Sequence, residues 1–215
     1  FDFLNSRVYD TLLSRNLGQP SPVPVIVDID EKSLQQYGQW PWPRYRIAIL
    51  LEKLRELGAS SIGLDMMFAE GDRTSLVAIR KELQHDFGVD LGFGKVPRDL
   101  WDSDQRLADT LSRGKVVLGY QFLFEEDSGA DNCLLHSLPV GMLGHFSEEK
   151  DPTAFINARG VTCNLEKLSQ AAGSSGFFNV SLDRDGVLRS VPLIIEYQGR
   201  FYPSLALAAL IQSVG

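Results

Sequence analysis

Two apolar runs rich in β-formers, VPVIVDID (residues 23–30) and SSIGLDMMF (residues 60–68), bracket a Leu-rich segment with helical periodicity. This strand–helix–strand order restricts the chain more than any other feature. In YRIAILLEKLRELGA the apolar positions Ile47, Leu50, Leu51, Leu54 and Leu57 share one helical stripe, and Gly58 is placed to stop the helix. A short Val/Ile-rich run reads as a buried strand. Strand, helix and strand in this order form a βαβ unit with parallel strands and a right-handed crossover. Both runs reach aspartates near their carboxyl ends: Asp28 and Asp30 in the first, Asp65 in the second. In an extended strand Asp28 and Asp30 fall on one face and Glu31 on the other.

The rest of the chain repeats the alternation and then changes texture. Residues 1–17 place Phe1, Leu4, Val8 and Leu12 on one helical stripe, ended by Gly18 and the prolines at 20, 22 and 24. After an insertion at 72–100, with a possible helix in SLVAIRKELQHDF and a Gly-rich loop, LWDSDQRLADTLSRG reads as a helix capped near Ser103 or Asp104. KVVLGYQFLF is a strand and LEKLSQAAG a small helix. Asp185-Gly186 and Gln198-Gly199 each sit between β-like runs, the signature of hairpin turns. Residues 203–214 form an expected helix that is apolar nearly all round, which predicts packing on two sides or against a partner chain. The expected fold is therefore α/β: a mixed sheet with a parallel βαβ part and C-terminal antiparallel hairpins, flanked by helices, in a single domain over 1–215.

Charge excludes one class of partner. The net charge of −7 argues against nucleic acid, since phosphate contacts need clustered Lys and Arg. Seven acids and one base lie between Glu125 and Asp151, a −6 segment that leaves the remainder at −1. The irregular stretch at 125–170 also holds both cysteines, Cys133 and Cys163, which are either separate thiols or a bridge. A bridge would close a loop of ~30 residues and stabilise the fold by roughly 3 to 4 kcal/mol. No apolar run approaches the roughly 18 residues of a membrane span. The chain opens on Phe-Asp-Phe with no Met, as expected of a processed terminus or a segment of something longer.

The opening aspartates invite an enzymatic reading. Haloacid-dehalogenase-like phosphatases carry Asp-x-Asp-x-Thr after an apolar strand, with the first Asp as nucleophile and the second as general acid beside Mg²⁺. VIVDIDEKS departs from that pattern: Lys32 stands where Thr is needed and Ser33 comes one position late. In the bland alternative one aspartate pairs with Arg44 and the other caps the turn after the strand. In WPWPR, Pro41 and Pro43 restrict Trp40 and Trp42 to extended conformations, and Pro43 suits the first turn of the following helix. The indoles either cap the core or, with Asp28, Asp30, Arg44 and Asp65, line a ligand pocket at the carboxyl edge of the sheet. The start of a calcium loop in Asp183-Arg184-Asp185-Gly186 lacks its bidentate Glu, with Ile194 in that place, so a hairpin turn is the better reading. The histidines His85, His136 and His145 have no metal or triad spacing, and no cofactor signature is present.

VDIDEKSL, GQWPWPR, the Leu-rich helix to ELGAS, IGLDMMFAE, DQRLADTL, GFFNVSLDRDGVLRSVPL and PSLALAAL, in this order, resemble the second type of CHASE domain, the cyclase- and histidine-kinase-associated sensory extracellular domain. The resemblance runs through residues 4–210, with the segments 72–100 and 125–170 outside its motifs. It implies a non-catalytic, periplasmic or extracellular sensor of a bacterial inner-membrane receptor. Membrane helices would flank it, and a cyclase, histidine kinase or similar output module would lie in the cytoplasm. It implies that the terminal helices lead to the membrane, that the intact receptor is a homodimer, and that an unidentified small or periplasmic ligand is sensed. An oxidising compartment also favours the Cys133–Cys163 bridge. The alternatives are the Mg-dependent phosphatase using Asp28 and Asp30, and a structural dimerisation module.

Overall fold

A computed structural model describes residues 7–12, 24–125, 133–139, 155–183 and 185–215. The chain divides into two units, Phe1–Pro41 and Trp42–Gly215. In the first unit, helix α1 covers residues 7–12, and the rest of the amphipathic helix expected over 1–17 lies outside the described residues. The strand expected at VPVIVDID is not formed: residues 24–30 are irregular, with Val25 80% and Ile26 92% exposed. An apolar run becomes a strand only where a neighbouring strand completes its ladder, and no described residue does so here. Helix α2 (Glu31–Tyr37) follows, and the Trp40–Pro41 bond that closes the unit is cis.

The second unit is built around one long strand. Helix α3 (Arg44–Glu56) ends at Gly58, whose φ of 92° only glycine adopts without strain. It leads into β1 (Ile62–Leu64), α4 (Leu76–Phe87) and a 3₁₀ turn at Arg98–Leu100. Then come α5 (Ser103–Leu111) and β2 (Val116–Leu123). β1 pairs in parallel with the first half of β2, Ile62 opposite Val116. β3 (Ile156–Asn157), β4 (Gly160–Thr162), α6 (Glu166–Ala172) and β5 (Ser175–Phe177) follow. β5 is also parallel to β2, Leu118 opposite Ser175, whereas β4 runs antiparallel to its last residues. The expected parallel part of the sheet is thus present, but β1, β2 and β5 carry it, and the βαβ unit expected over 23–68 does not form because its first strand is absent.

β6 (Ile194–Tyr197) and β7 (Arg200–Pro203) form the antiparallel hairpin expected at Gln198-Gly199, both turn residues having positive φ, and β3 adds to β6 in parallel. At Asp183–Val187 the other turn forms, with Gly186 N–H donating to the Asp183 carbonyl and Asp183 N–H to that of Val187. The runs beside it carry no assigned strand, and Val180, Leu182, Val191 and Leu193 stand exposed.

Alternation along β1 and β2 sorts the layers. Ile62, Leu64, Val116 and Leu118 face a cluster with Ile47 and Leu51 of α3, Leu107 and Leu111 of α5 and Leu168 of α6. Each of these fully buried Leu or Ile side chains contributes roughly 2 kcal/mol from area removed from water. On the other face lies helix α7 (Leu205–Val214), capped by the Ser204 hydroxyl, which accepts from Leu207 N–H at 3.3 Å. Small residues let it approach: a Cβ on Gly63 would lie 3.6 Å from Leu205 and Ala209, and one on Gly176 only 2.6 Å from Leu205 Cα. Among the described residues the all-round apolar helix is therefore covered on one side. Ala208 is buried, and Ala206, Leu210 and Val214, four residues apart, form an exposed stripe.

Candidate functional site

The residues singled out in the sequence divide between the two units. In the first, Asp28 is exposed, and Asp30 caps α2. Its Oδ1 accepts from the Ser33 N–H at 2.9 Å and from the Ser33 hydroxyl at 2.8 Å. These bonds, the backbone one first, hold its carboxyl below the usual carboxylate range. A carboxylate kept ionised in this way is a poor proton donor, the role a phosphatase would require of it. Trp40 is half exposed.

In the second unit, Trp42 packs on the α3/α5 cluster, with the Arg46 guanidinium 5.7 Å above its ring. Asp65 follows β1 and is exposed. Arg44 is buried. Its guanidinium donates to the Asp104 carboxylate on α5 and to the Glu70 carbonyl, and lies 5.0 Å above the Phe68 ring. Its backbone N–H donates to Asp72 Oδ2 at 2.8 Å, and Asp72 N–H donates to Asp104 Oδ2 at 3.0 Å. α3 starts at Pro43, which has no side-chain cap of its own, so Asp72 supplies the missing acceptor from the loop after β1. The other Asp72 oxygen accepts from Thr74 N–H and Oγ1–H at 2.8 and 2.7 Å, and this folds the loop toward α4.

Asn164 secures the same loop from the opposite direction. Its Oδ1 accepts from Phe68 N–H at 2.7 Å and its Nδ2 donates to the Gly119 carbonyl at 2.8 Å, joining the loop to β2 inside the core. Sequence reasoning gave Asn164 no role. The signal for Asp104 was already present in the DQRLADTL motif.

A second cluster sits under the later strands: Tyr120, Phe122 and Phe177 with Tyr197 and Tyr202, their rings in edge-on and tilted contacts between 5.2 and 6.3 Å. Burial raises the Tyr120 phenol far above its ordinary pKa. Cys133 and Cys163 are bonded to each other at the margin of this cluster. From Cys133 the chain continues as a short irregular strap to Pro139. His136 N–H donates to Ser175 Oγ at 3.1 Å, and the same oxygen lies 3.0 Å from His136 Nδ1, while Leu138 N–H donates to the Phe201 carbonyl at 2.8 Å. Ser175 is buried, which makes this a structural pair and not an accessible nucleophile.

The Asp183–Asp185 turn is not open to a cation. Arg189 donates to Asp183 Oδ2 at 2.8 Å and to both oxygens of Asp185 at 2.8 and 2.7 Å. His85 pairs with Asp86, and His145 lies outside the described residues. Among the described residues no group of three or more His, Cys, Asp and Glu is arranged to hold a metal, and no helix is long and apolar enough to cross a membrane.

No curated protein and no solved structure matches the chain. The family model of the CHASE2 domain matches residues 1–214, nearly every position described above. The chain belongs to the CHASE2 family of sensory extracellular domains.

Proposed function

We infer that this domain senses on the outer side of a bacterial inner membrane and passes its signal through its terminal helices to a cytoplasmic cyclase, histidine kinase or similar module. The observation that carries the reading is the seat of α7. This helix lies against β1, β2 and β5, so it follows any movement of the sheet, yet it keeps Ala206, Leu210 and Val214 exposed on its outer side. An apolar stripe with this spacing suits a second copy of the same helix in a dimeric receptor. A stimulus moves such a helix only if it favours one of two arrangements over the other.

Leu210→Glu in the intact receptor tests this reading. The outward position predicts lost self-association and lost output with the fold retained. Unchanged sedimentation together with unchanged output would remove the output role of α7. A ligand is expected to be detected as a rise in melting temperature that Trp42→Ala abolishes. The phosphatase alternative predicts Mg²⁺-dependent turnover of a phosphate ester that Asp28→Asn abolishes. Strong self-association with neither result would leave the structural dimerisation module.

A further inference from the structure

Residues 134–138 are held at three points of different chemistry. Cys133 is covalently tied to Cys163, just beyond β4. His136 is bonded twice to Ser175 of β5, and Leu138 once to Phe201 of β7. Two of these anchors adjoin the start of α7. Ser175 precedes Gly176, over which the Leu205 backbone is packed too closely to admit a Cβ. Phe177 bridges Ser204, the α7 cap, and Phe201 lies three residues before that cap. The strap thus joins the two strands whose ends set where α7 begins.

The disulfide lies at the margin of the aromatic cluster and away from the α3/α5/α6 one. The α3/α5/α6 cluster contains no strap residue, and in the aromatic cluster both cysteines are partly exposed at the edge. Leu135 of the strap packs against the aromatic cluster beside the two cysteines, and Leu138 is itself buried. The strap's polar anchors are three hydrogen bonds, two of them made by the half-buried His136. Such bonds contribute about 1 kcal/mol each and the buried Leu138 roughly 2 kcal/mol, which together do no more than offset the roughly 1 to 2 kcal/mol per residue that fixing the backbone costs. The strap therefore depends on its covalent end.

We propose that Cys133–Cys163 is a reducible latch: its cleavage by a dithiol releases residues 134–138 from β5 and β7 and loosens the first turn of α7, while both cores stay folded. In the exchange, two electrons and two protons pass from the dithiol to the bridge. The protein's S–S bond breaks, leaving two thiols, and the reductant becomes a cyclic disulfide. The inference rests on the reading of α7 as the output helix only for its signalling consequence.

The test is amide hydrogen exchange on the full chain, oxidised and reduced with dithiothreitol, with Cys133→Ser/Cys163→Ser as a control free of reductant. The N–H groups of His136 and Leu138, which make the anchoring bonds, and that of Leu207, which makes the cap bond, are expected to exchange at least tenfold faster after reduction. Those of Val117 and Leu118 are expected to keep their rates. Three outcomes overturn the latch: no acceleration, uniform acceleration of all amides, which would make the bridge a staple of the whole fold, or release of the strap without change at Leu207. The sensor reading fails on a different result, the behaviour of Leu210→Glu, so the two are separable.

Discussion

Asp72 accepts a hydrogen bond from the backbone N–H of Arg44 and so caps a helix that began 28 residues earlier in the chain. Pro43 leaves the start of α3 without a local acceptor, and the loop after β1 provides one. The same carboxylate turns that loop through Thr74, so one side chain serves two elements. Asp72→Ala is expected to cost about 1 to 2 kcal/mol, the upper range for a lost cap. Asp72→Asn should recover part of it. Urea unfolding of the three proteins checks this, and equal midpoints would remove Asp72 from the account.

Arg44 and Asp104 form a pair with side chains only 11% and 15% exposed. Arg44→Met removes the cation and leaves a nearly buried carboxylate, at an expected cost of about 3 kcal/mol or more. Adding Asp104→Leu should return much of that loss, because the stranded charge goes with it. A double-mutant cycle by chemical denaturation measures the coupling, and simple additivity of the two losses would contradict it.

Two glycines under α7 separate close approach from ordinary packing. A Cβ on Gly176 would meet the Leu205 backbone at 2.6 and 2.7 Å, so Gly176→Ala must push the helix away, at about 1 to 3 kcal/mol. A Cβ on Gly63 meets its neighbours at 3.6 Å, and Gly63→Ala should change stability by no more than about 0.5 kcal/mol. Thermal melting of the pair should rank them in this order.

His136 gives the strap a pH dependence. Burial holds its imidazole below the ordinary value of 6.5. The unfolded chain therefore binds the proton first, and folding loses stability as pH falls below about 6.5 toward the depressed folded value. His136→Gln should flatten the slope of stability against pH in that window, measured by denaturation between pH 7 and 5 on the order of half a unit apart. An unchanged slope would show that His136 is not responsible for it.

Asp185 titrates in the other direction. Its bonds to Arg189 lower its carboxyl to about 2, from an ordinary 3.8. The stabilisation from this pair is present above 3.8 and is lost as pH falls through about 2. Carbon-detected NMR should find that midpoint, and Arg189→Gln should bring it back toward 3.8.

Local patterns in the sequence were enough to place α3, α5, β2, α6 and the Gln198-Gly199 hairpin, since periodicity and capping residues act within a few positions. The strand at VPVIVDID was misread because its pattern states an apolar preference and says nothing of a partner strand. The one-sided cover of α7 was equally hidden: Ala206 and Ala208 look alike in sequence, and only the close approach over Gly176 decides which faces the sheet. At the site, DQRLADTL marked Asp104, but the contacts of Arg44 with Glu70, Asp72 and Asp104 span 26 to 60 residues. Asn164 was invisible for the same reason, as its bonds to Phe68 and Gly119 reach 96 and 45 residues away.

Val116, Leu118, Tyr120 and Phe122 occupy alternate positions of β2, the first two in one cluster and the last two in the other. A single residue inserted or deleted between Leu118 and Tyr120 would turn half of this series to the opposite face and empty one cluster. The eight residues of β2 therefore absorb an exchange of side chains more readily than a change in their number.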